Sequence, residues 1–311
     1  MKKLRGAVVG VGYLGRFHAQ KIQASQAANL VGVYDFHKPQ AEKIAAELSV
    51  KAFQDLDEVT KNVDFVTIAA ATQAHYDLAL HFLKNKIPTL VEKPIAATSA
   101  QGFELANLAI KNNVVFSVGH IERFNPAYNI IKDSADQTTY FEINRLAPFR
   151  LRGADVSVLH DLMIHDLDLI NFIFKSEVVS FEGQGSQFIQ PTIDDASVRL
   201  ILKSGLQVTI NNSRIHPFIS RNYRAIQKTR SIYLNTATLE GEILTALKDN
   251  PYHEVKLFNV EKVDALQLEI NHFIDAVLQH KPVAITGEEA STALKMIETI
   301  IEKINHRKKD H

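Results

Sequence analysis

The chain has 311 residues, with Lys+Arg and Asp+Glu balanced at 35 each and no cysteine. That length suits two domains with real cores. Zero net charge gives no global field for nucleic acid or a membrane surface, and without thiols there are no disulfides, thiol nucleophiles or thiolate metal sites. No run approaches the ~20 apolar residues of a membrane span, and the opening MKKLRGAVVG has too short an apolar run for a signal segment. A cytoplasmic location is the expectation, and the basic tail at 306–309 reads as a solvated helix end.

Residues 4–9 are a short apolar run ending at Gly10, a predicted strand. Residues 13–25 read as a helix, 30–34 as a second buried strand, and 38–48 (KPQAEKIAAEL) as an amphipathic helix with its proline in the first turn. A strand at 64–69, a helix at 73–84, strands at 89–91 and 114–118, and a helix at 99–112 between them continue the alternation. Repeated βα units of this length predict a parallel sheet with right-handed crossovers.

After Gly119 the texture changes. Residues 155–174 have helical spacing, and strand-like runs follow at 178–188, 196–203, 206–214, 224–234, 238–244 and 254–260. Lys203-Ser204-Gly205 marks a hairpin turn between two of them. Helices at 264–280 and 287–306 close the chain. The expected fold class is α/β, with a doubly wound parallel sheet over 1–120. An α+β domain over 121–311 follows, with a large, mostly antiparallel sheet and a C-terminal helix able to pack back on the first domain.

Gly10-Val11-Gly12-Tyr13-Leu14-Gly15 is G-x-G-x-x-G, placed after a strand and opening a helix. In that context the first glycine makes the turn, the second admits a pyrophosphate, and the third permits close helix–strand packing. The helix N-terminus then faces the diphosphate. Asp35 stands twenty residues after Gly15, at the end of the second strand. A carboxylate there accepts a ribose diol and repels a 2′-phosphate, so the first domain reads as a Rossmann domain for NAD rather than NADP.

Glu92-Lys93-Pro94 follows the strand at 89–91, at the end of the sheet where ligands bind. A lysine there can hydrogen-bond an oxygen that becomes a carbonyl, although an ordinary strand-end lysine fits the position equally well. Asp161 and His165 are spaced i, i+4, with Asp168 three further on, and Leu162, Met163, Ile164, Leu167 and Leu169 supply the buried surface. That pairing makes a usable base with an orienting carboxylate. A satisfied structural histidine is the plainer reading, and a metal held by His160, Asp161 and His165 a third. Nothing else in the sequence offers zinc ligand spacing, so no metal is expected.

A GxGxxG strand, a strand-end Glu-Lys-Pro and an Asp-x-x-x-His helix in the second half together resemble the glucose–fructose oxidoreductase/inositol dehydrogenase family, along essentially the whole chain. Gly119-His120-Ile121-Glu122-Arg123-Phe124-Asn125-Pro126 is similar to that family's interdomain motif. The resemblance implies Lys93 as catalytic lysine, His165 as general base, Asp161 as a substrate-binding or orienting acid, and Glu92 near the nicotinamide. It extends the cofactor set to Tyr13, Leu14, Ala70, Thr72 and His75. Here the chain departs from the family, with Ala70-Ala71-Thr72 where Thr-Pro-Asn is common.

The segments 120–126 and 142–168 resemble the subgroup that oxidises the 3-hydroxyl of UDP-N-acetylglucosamine and passes the keto sugar to an aminotransferase for lipid A. Arg145, Arg150 and Arg152 cluster before the catalytic helix and suit a diphosphate. Each also fits a salt-bridged strand edge, and Arg123 fits either a substrate contact or an interdomain bridge. Arg123, Asn125, Arg150, Arg152, Asp161 and His165 form the expected substrate set. An inositol or free-sugar dehydrogenase is the alternative within the class, and a non-catalytic NAD-sensing regulator the alternative outside it. Apolar strand residues such as Val198, Leu200 and Leu202 need cover, which a symmetric copy would supply, so a homodimer or tetramer is expected.

Overall fold

The computed structural model describes residues 3–151, 156–247 and 253–307. It divides into two compact units: Met1–Phe124 with Asp264–Lys295, and Asn125–Val263 with Met296–His311. A single break near residue 120 therefore gives way to a chain that leaves the first unit and returns to it.

The first unit alternates β1 (Leu4–Val9), α1 (Tyr13–Ala24), β2 (Ala28–Tyr34), α2 (Lys38–Leu48), β3 (Lys51–Ala52) and α3 (Leu56–Asn62). It continues with β4 (Phe65–Ile68), α4 (Thr72–Lys84), β5 (Thr89–Glu92), α5 (Ser99–Asn112) and β6 (Phe116–Gly119). All six strands are parallel, in the order β3-β2-β1-β4-β5-β6. Strands covered by helices on both faces are mostly apolar, and every residue of β4 is buried. Short polar side chains start the helices. Asp55 accepts the Glu58 N–H at 2.7 Å for α3, and Thr98 and Gln101 form a capping box for α5.

The order of strands turns back at the β1–β4 pair. The loops after β1 and β4, and after β5 beside them, thus open on the crevice where such sheets bind ligands. One core cluster joins Val8, Ala19, Ile22, Val33, Phe65 and Leu90 to Ile270, Phe273 and Ile274 of the late helix described below, with Phe65 and Phe273 edge to face at 5.9 Å. Each of these larger side chains contributes about 1.5–3 kcal/mol by leaving water.

The second unit begins with α6 (Asn129–Lys132) and β7 (Thr138–Leu146), then a wide π-helical turn, Leu159–Met163, running into α7 (Ile164–Phe174). Next come β8 (Val178–Ser186), β9 (Asp195–Leu202), β10 (Gln207–Ser213), β11 (Ser220–Gln227), β12 (Arg230–Asn235), β13 (Glu240–Ala246) and β14 (His253–Asn259). Helix α8 (Ala265–Gln279) and the first turns of α9 (Gly287–Arg307) belong to the first unit, and the rest of α9 to the second. The eight strands run β14-β13-β12-β11-β7-β10-β9-β8, antiparallel except for β7 beside β10.

Two sequence expectations need correction here. The run 224–234 is two strands, joined at Lys228-Thr229, a turn without the glycine or asparagine that marks a hairpin. Val198, Leu200 and Leu202 are at most 1% exposed within the chain itself, so they need no second copy to cover them. Their face packs under α7, where Phe141 meets Phe174 at 5.1 Å, and under the end of α9, whose Ile300 and Ile304 are buried above Val198 and Gly183.

Candidate active site

The three glycines of the first loop do three different jobs. Gly10 sits at φ +85°, and a Cβ there would lie 2.6 Å from the Ala70 backbone. A Cβ on Gly15 would stand 1.8 Å from the Gly10 carbonyl oxygen, so helix and loop pack too closely for any side chain. A Cβ on Gly12 would meet nothing within 4 Å. That open cradle lies at the N-terminus of α1, whose first turn has neither a side-chain cap nor an acidic residue. Its N–H groups and dipole are thus left for an anion, and the loop fits a dinucleotide diphosphate.

Asp35 accepts the Val11 N–H at 2.8 Å through Oδ2 and the His37 N–H at 2.9 Å through Oδ1. It fixes the loop, and each oxygen keeps a second lone pair for a ribose hydroxyl. Around this end Tyr13 and Leu14 are exposed, and Phe36, next to Asp35, is 95% exposed. Phe36 escaped the sequence reading, although an aromatic directly after the ribose-binding acid offers a flat apolar face beside the cradle. Thr72 is half-buried at the start of α4, and Ala70 packs on Gly10.

His75 is a correction. It is 1% exposed, with Nδ1 2.8 Å from the Pro94 carbonyl and Nε2 3.0 Å from the Ala70 carbonyl. Burial pushes its pKa down against those two carbonyls. It therefore pins the loops after β4 and β5 to each other from beneath and does not present itself to a cofactor.

Glu92 ends β5, and Lys93 follows it. The Glu92 Oε1 lies 2.8 Å from His18 Nε2, and its Oε2 accepts the Lys93 N–H at 3.1 Å. Gly119, paired with Glu92 across β5–β6, makes room: a Cβ there would be 3.0 Å from the Glu92 Cδ. Burial raises the Glu92 pKa, but the His18 hydrogen bond and the charges of His18 and Lys93 outweigh it and hold the carboxyl below its usual range. His18, on the buried face of α1, was not singled out from sequence. Its signal was a histidine among apolar neighbours one turn after Gly15.

In the second unit the π-helical turn carries His160 and Asp161, and α7 carries His165. Asp161 and His165 are both half-exposed, whereas Asp166 and Asp168 are buried. Asp161 thus lies on the turn and His165 on the helix that follows it, and Asp168 is buried. Burial pushes His160 down, partly offset by Glu298, and its Nδ1 lies 3.0 Å from the Ser157 hydroxyl.

Two buried ion pairs bracket this segment. Asp166 accepts from Arg145 Nε at 3.0 Å, Asn212 Nδ2 at 2.8 Å and the Tyr223 hydroxyl at 3.3 Å. Asp194 accepts three backbone N–H groups, from Phe188, Ile189 and Gln190, and Arg214 Nε at 2.6 Å. Arg214 Nη1 also donates to the Val156 carbonyl at 2.6 Å.

The arginines therefore sort themselves. Arg145, 4% exposed, clamps α7 to the sheet and is not placed for a diphosphate. The Arg123 side chain is buried in the first unit and donates to the Ala284 carbonyl at 2.8 Å and Glu289 at 3.2 Å, a structural use of the kind its alternative reading allowed. Asn125 caps the short turn Pro126–Tyr128 by accepting the Ala127 N–H at 3.0 Å. Arg150 is exposed, and Arg152 lies outside the described residues. Among the described residues no group of three or more His, Cys, Asp or Glu side chains is placed to hold a metal ion, and no helix is long and apolar enough to cross a membrane.

A dinucleotide cradle on a parallel sheet, paired with a large open sheet unit bearing an Asp–His helix, defines a two-domain nicotinamide oxidoreductase. The chain belongs to the Gfo/Idh/MocA oxidoreductases. Residues 4–120 match the oxidoreductase family with an NAD-binding Rossmann fold, and residues 138–233 match the GFO/IDH/MocA C-terminal domain. The chain is 30% identical to the UDP-N-acetylglucosamine 3-dehydrogenase of Acidithiobacillus ferrooxidans, over 99% of this chain and 100% of that one. The solved structure of that enzyme superposes with a TM-score of 0.91 over 98% of this chain and 99% of that one, at 30% identity. The scyllo-inositol 2-dehydrogenase (NAD(+)) of Bacillus subtilis is 26% identical over 94% of this chain and 92% of its own, and the myo-inositol 2-dehydrogenase of Thermotoga maritima 27% identical over 94% and 93%. NAD is the cofactor that this family's N-terminal domain binds.

Proposed function

We propose that the chain is an NAD-dependent dehydrogenase that oxidises the 3-hydroxyl of UDP-N-acetylglucosamine to the 3-keto sugar. The observation that carries this reading is end-to-end similarity, in sequence and in fold, to an enzyme of that activity. Bound NAD supplies the hydride acceptor. Lys93 hydrogen-bonds the sugar oxygen and stabilises the alkoxide as it develops. His165 takes the hydroxyl proton, and Asp161 orients that ring or holds an adjacent hydroxyl. Arg150, exposed just before the Asp–His segment, and Arg152 are the residues proposed for the diphosphate.

In this reading the keto product passes to an aminotransferase for diamino-sugar synthesis toward lipid A, in the cytoplasm. A second reading, an inositol or unactivated-sugar dehydrogenase, is favoured by the inositol dehydrogenases that match most of the chain at 26–27% identity. A regulator that only senses NAD has no need of Lys93, Asp161 and His165 together.

A homodimer or tetramer stays part of the proposal on new grounds. Its support is the sheet face opposite Val198, where Glu182, Arg199, Glu142, Arg224 and Glu242 alternate in charge along one register row and Val255 and Leu257 are exposed. A second copy related by a two-fold axis can match such a row to itself. A monomer by light scattering contradicts that part.

The activity test is NADH formation followed at 340 nm with NAD and UDP-N-acetylglucosamine, pulled forward by a carbonyl trap, with inositols and free sugars run in parallel. Turnover confined to the UDP-sugar supports the first reading. Turnover on inositols alone replaces it with the second.

A further inference from the structure

The loop between β10 and β11, residues 214–219, is left unused by the catalytic scheme. Its two strands are not neighbours. Both pair with β7, which lies between them, and Leu146 at the end of β7 stands opposite Ser213 on one side and Ser220 on the other. The loop therefore crosses the end of β7, a span of about 10 Å at the ordinary strand spacing. The chain that leaves β7 there carries Arg150, which is exposed. Backbone bonds tie the loop to that chain: the Ala147 N–H donates to the Ser213 carbonyl at 2.8 Å, and the His216 N–H donates to the Ala147 carbonyl at 3.1 Å.

The same strand end holds the Asp–His segment. Asn212 donates to Asp166, the residue after His165, and Arg214 donates to the carbonyl of Val156, just ahead of Asp161. At its base the loop is anchored by the buried Arg214–Asp194 pair. Further along, His216 Nδ1 lies 3.0 Å from the Phe218 carbonyl oxygen, and the two rings meet edge to face with centroids 4.3 Å apart. Phe218 is nonetheless 63% exposed, and Ile219 beside it is exposed as well. An aromatic ring braced in place yet left in water is a platform for a flat ligand. The charges around it select the ligand's sign. Residues 147–151 and 214–219 contain no acid, and their basic residues are Arg150, Arg214 and His216. The adjoining strand ends add Arg221 and Asp195, which offset each other.

The geometry points to this loop as a nucleoside subsite: the Phe218 ring, braced by His216, stacks on the base of the substrate, and Arg150 beside it takes the diphosphate. The subsite rests on the UDP-sugar reading above and adds to it a contact that an inositol does not make. Phe188 supplies the contrast. It is also largely exposed, but its loop, 187–193, joins β8 and β9 at the edge of the sheet and carries no charged residue to hold a phosphate. Base–aromatic stacking is worth enough that loss of the ring weakens binding about tenfold.

The chain has no tryptophan, so Phe218→Trp places a single fluorescent reporter on the loop. The full chain, saturated with NAD, is titrated with UDP. Fluorescence is followed in Phe218→Trp and in Phe188→Trp as the control, and affinity is measured by calorimetry for wild type, Phe218→Ala and Phe218→Tyr. The expected result is quenching in Phe218→Trp alone, UDP binding about tenfold weaker in Phe218→Ala and near wild type in Phe218→Tyr, with unchanged melting temperatures. Equal UDP affinity in wild type and Phe218→Ala, or a Phe218→Trp signal that ignores UDP, overturns the subsite. A smaller oligomer in Phe218→Ala with UDP affinity intact assigns the loop to a second copy and overturns it too. Those outcomes leave the nucleotide-sugar reading standing, whereas no UDP binding by wild type removes that reading and the subsite with it.

Discussion

Replacing Asp166 by Asn tests whether the sheet unit holds α7, which carries the proposed base His165, through one buried charge. Asp166 is fully buried and accepts from Arg145, Asn212 and Tyr223, and Arg145 is itself 4% exposed. The amide keeps the volume but removes the anion, turning one acceptor oxygen into a donor that faces donors. Arg145 is left as an uncompensated buried cation, a loss of about 3–5 kcal/mol. With a urea slope of about 2 kcal/mol/M, the unfolding midpoint falls by about 2 M. Because His165 is the preceding residue on α7, kcat should fall with stability, whereas NAD affinity, set in the other unit, should hold. Substituting Arg145→Met and Asp166→Leu together removes both charges and should recover at least half of the lost stability without recovering kcat. A single-variant midpoint within about 0.5 M of wild type would refute the claim that this pair carries the helix.

The glycine loop predicts a contrasting pair. Gly12→Val, projecting into open space, should leave the melting temperature nearly unchanged and abolish measurable NAD binding, whereas Gly15→Ala, clashing with the Gly10 carbonyl, should destabilise the fold. Equal thermal shifts in the two would contradict the division of labour. Asp35→Ala should lower kcat/KM for NAD by about tenfold or more and raise the relative use of NADP, read from kcat/KM for both nucleotides. Burial pushes the Asp194 carboxyl up, but three backbone N–H groups and Arg214 hold it at about 2, below the ordinary 3.8. Its contribution to stability is therefore complete above about pH 4 and lost as pH falls through about 2. In acid unfolding Asp194→Asn should be less stable than wild type at neutral pH and lack that slope. A parallel pair of curves would rule this out.

The nucleotide end was legible because its chemistry is local. Gly10, Gly12, Gly15 and Asp35 lie within one strand–helix–strand unit, and helices α2 and α5 have the bounds their apolar spacing predicts. Short β3 and α3 went unread, the one being two residues long and the other seven. Strand β7 went unread because buried Arg145 interrupts its apolar face, and that polarity makes sense only once Asp166, Asn212 and Tyr223 surround it. The same blindness to long-range partners hid what His75 and Arg123 bond: carbonyls of two neighbouring loops for the first, the Ala284 carbonyl and Glu289 for the second. It also missed His18, which acquires meaning only when α1 brings its ring to Glu92. Val198, Leu200 and Leu202 were read correctly as apolar strand residues, but their cover comes from the end of α9, about a hundred residues later.

The central claim is hydride removal from C3 of a nucleotide sugar by NAD. It is tested most directly with UDP-N-acetylglucosamine deuterated at C3, incubated with the enzyme, NAD and a carbonyl trap, with the nucleotide product analysed by mass spectrometry. The account predicts NADH carrying the deuterium, and none formed by Lys93→Ala despite NAD binding. Unlabelled NADH would place the oxidation at another carbon, and no NADH from this substrate alongside turnover of an inositol would contradict the proposed substrate.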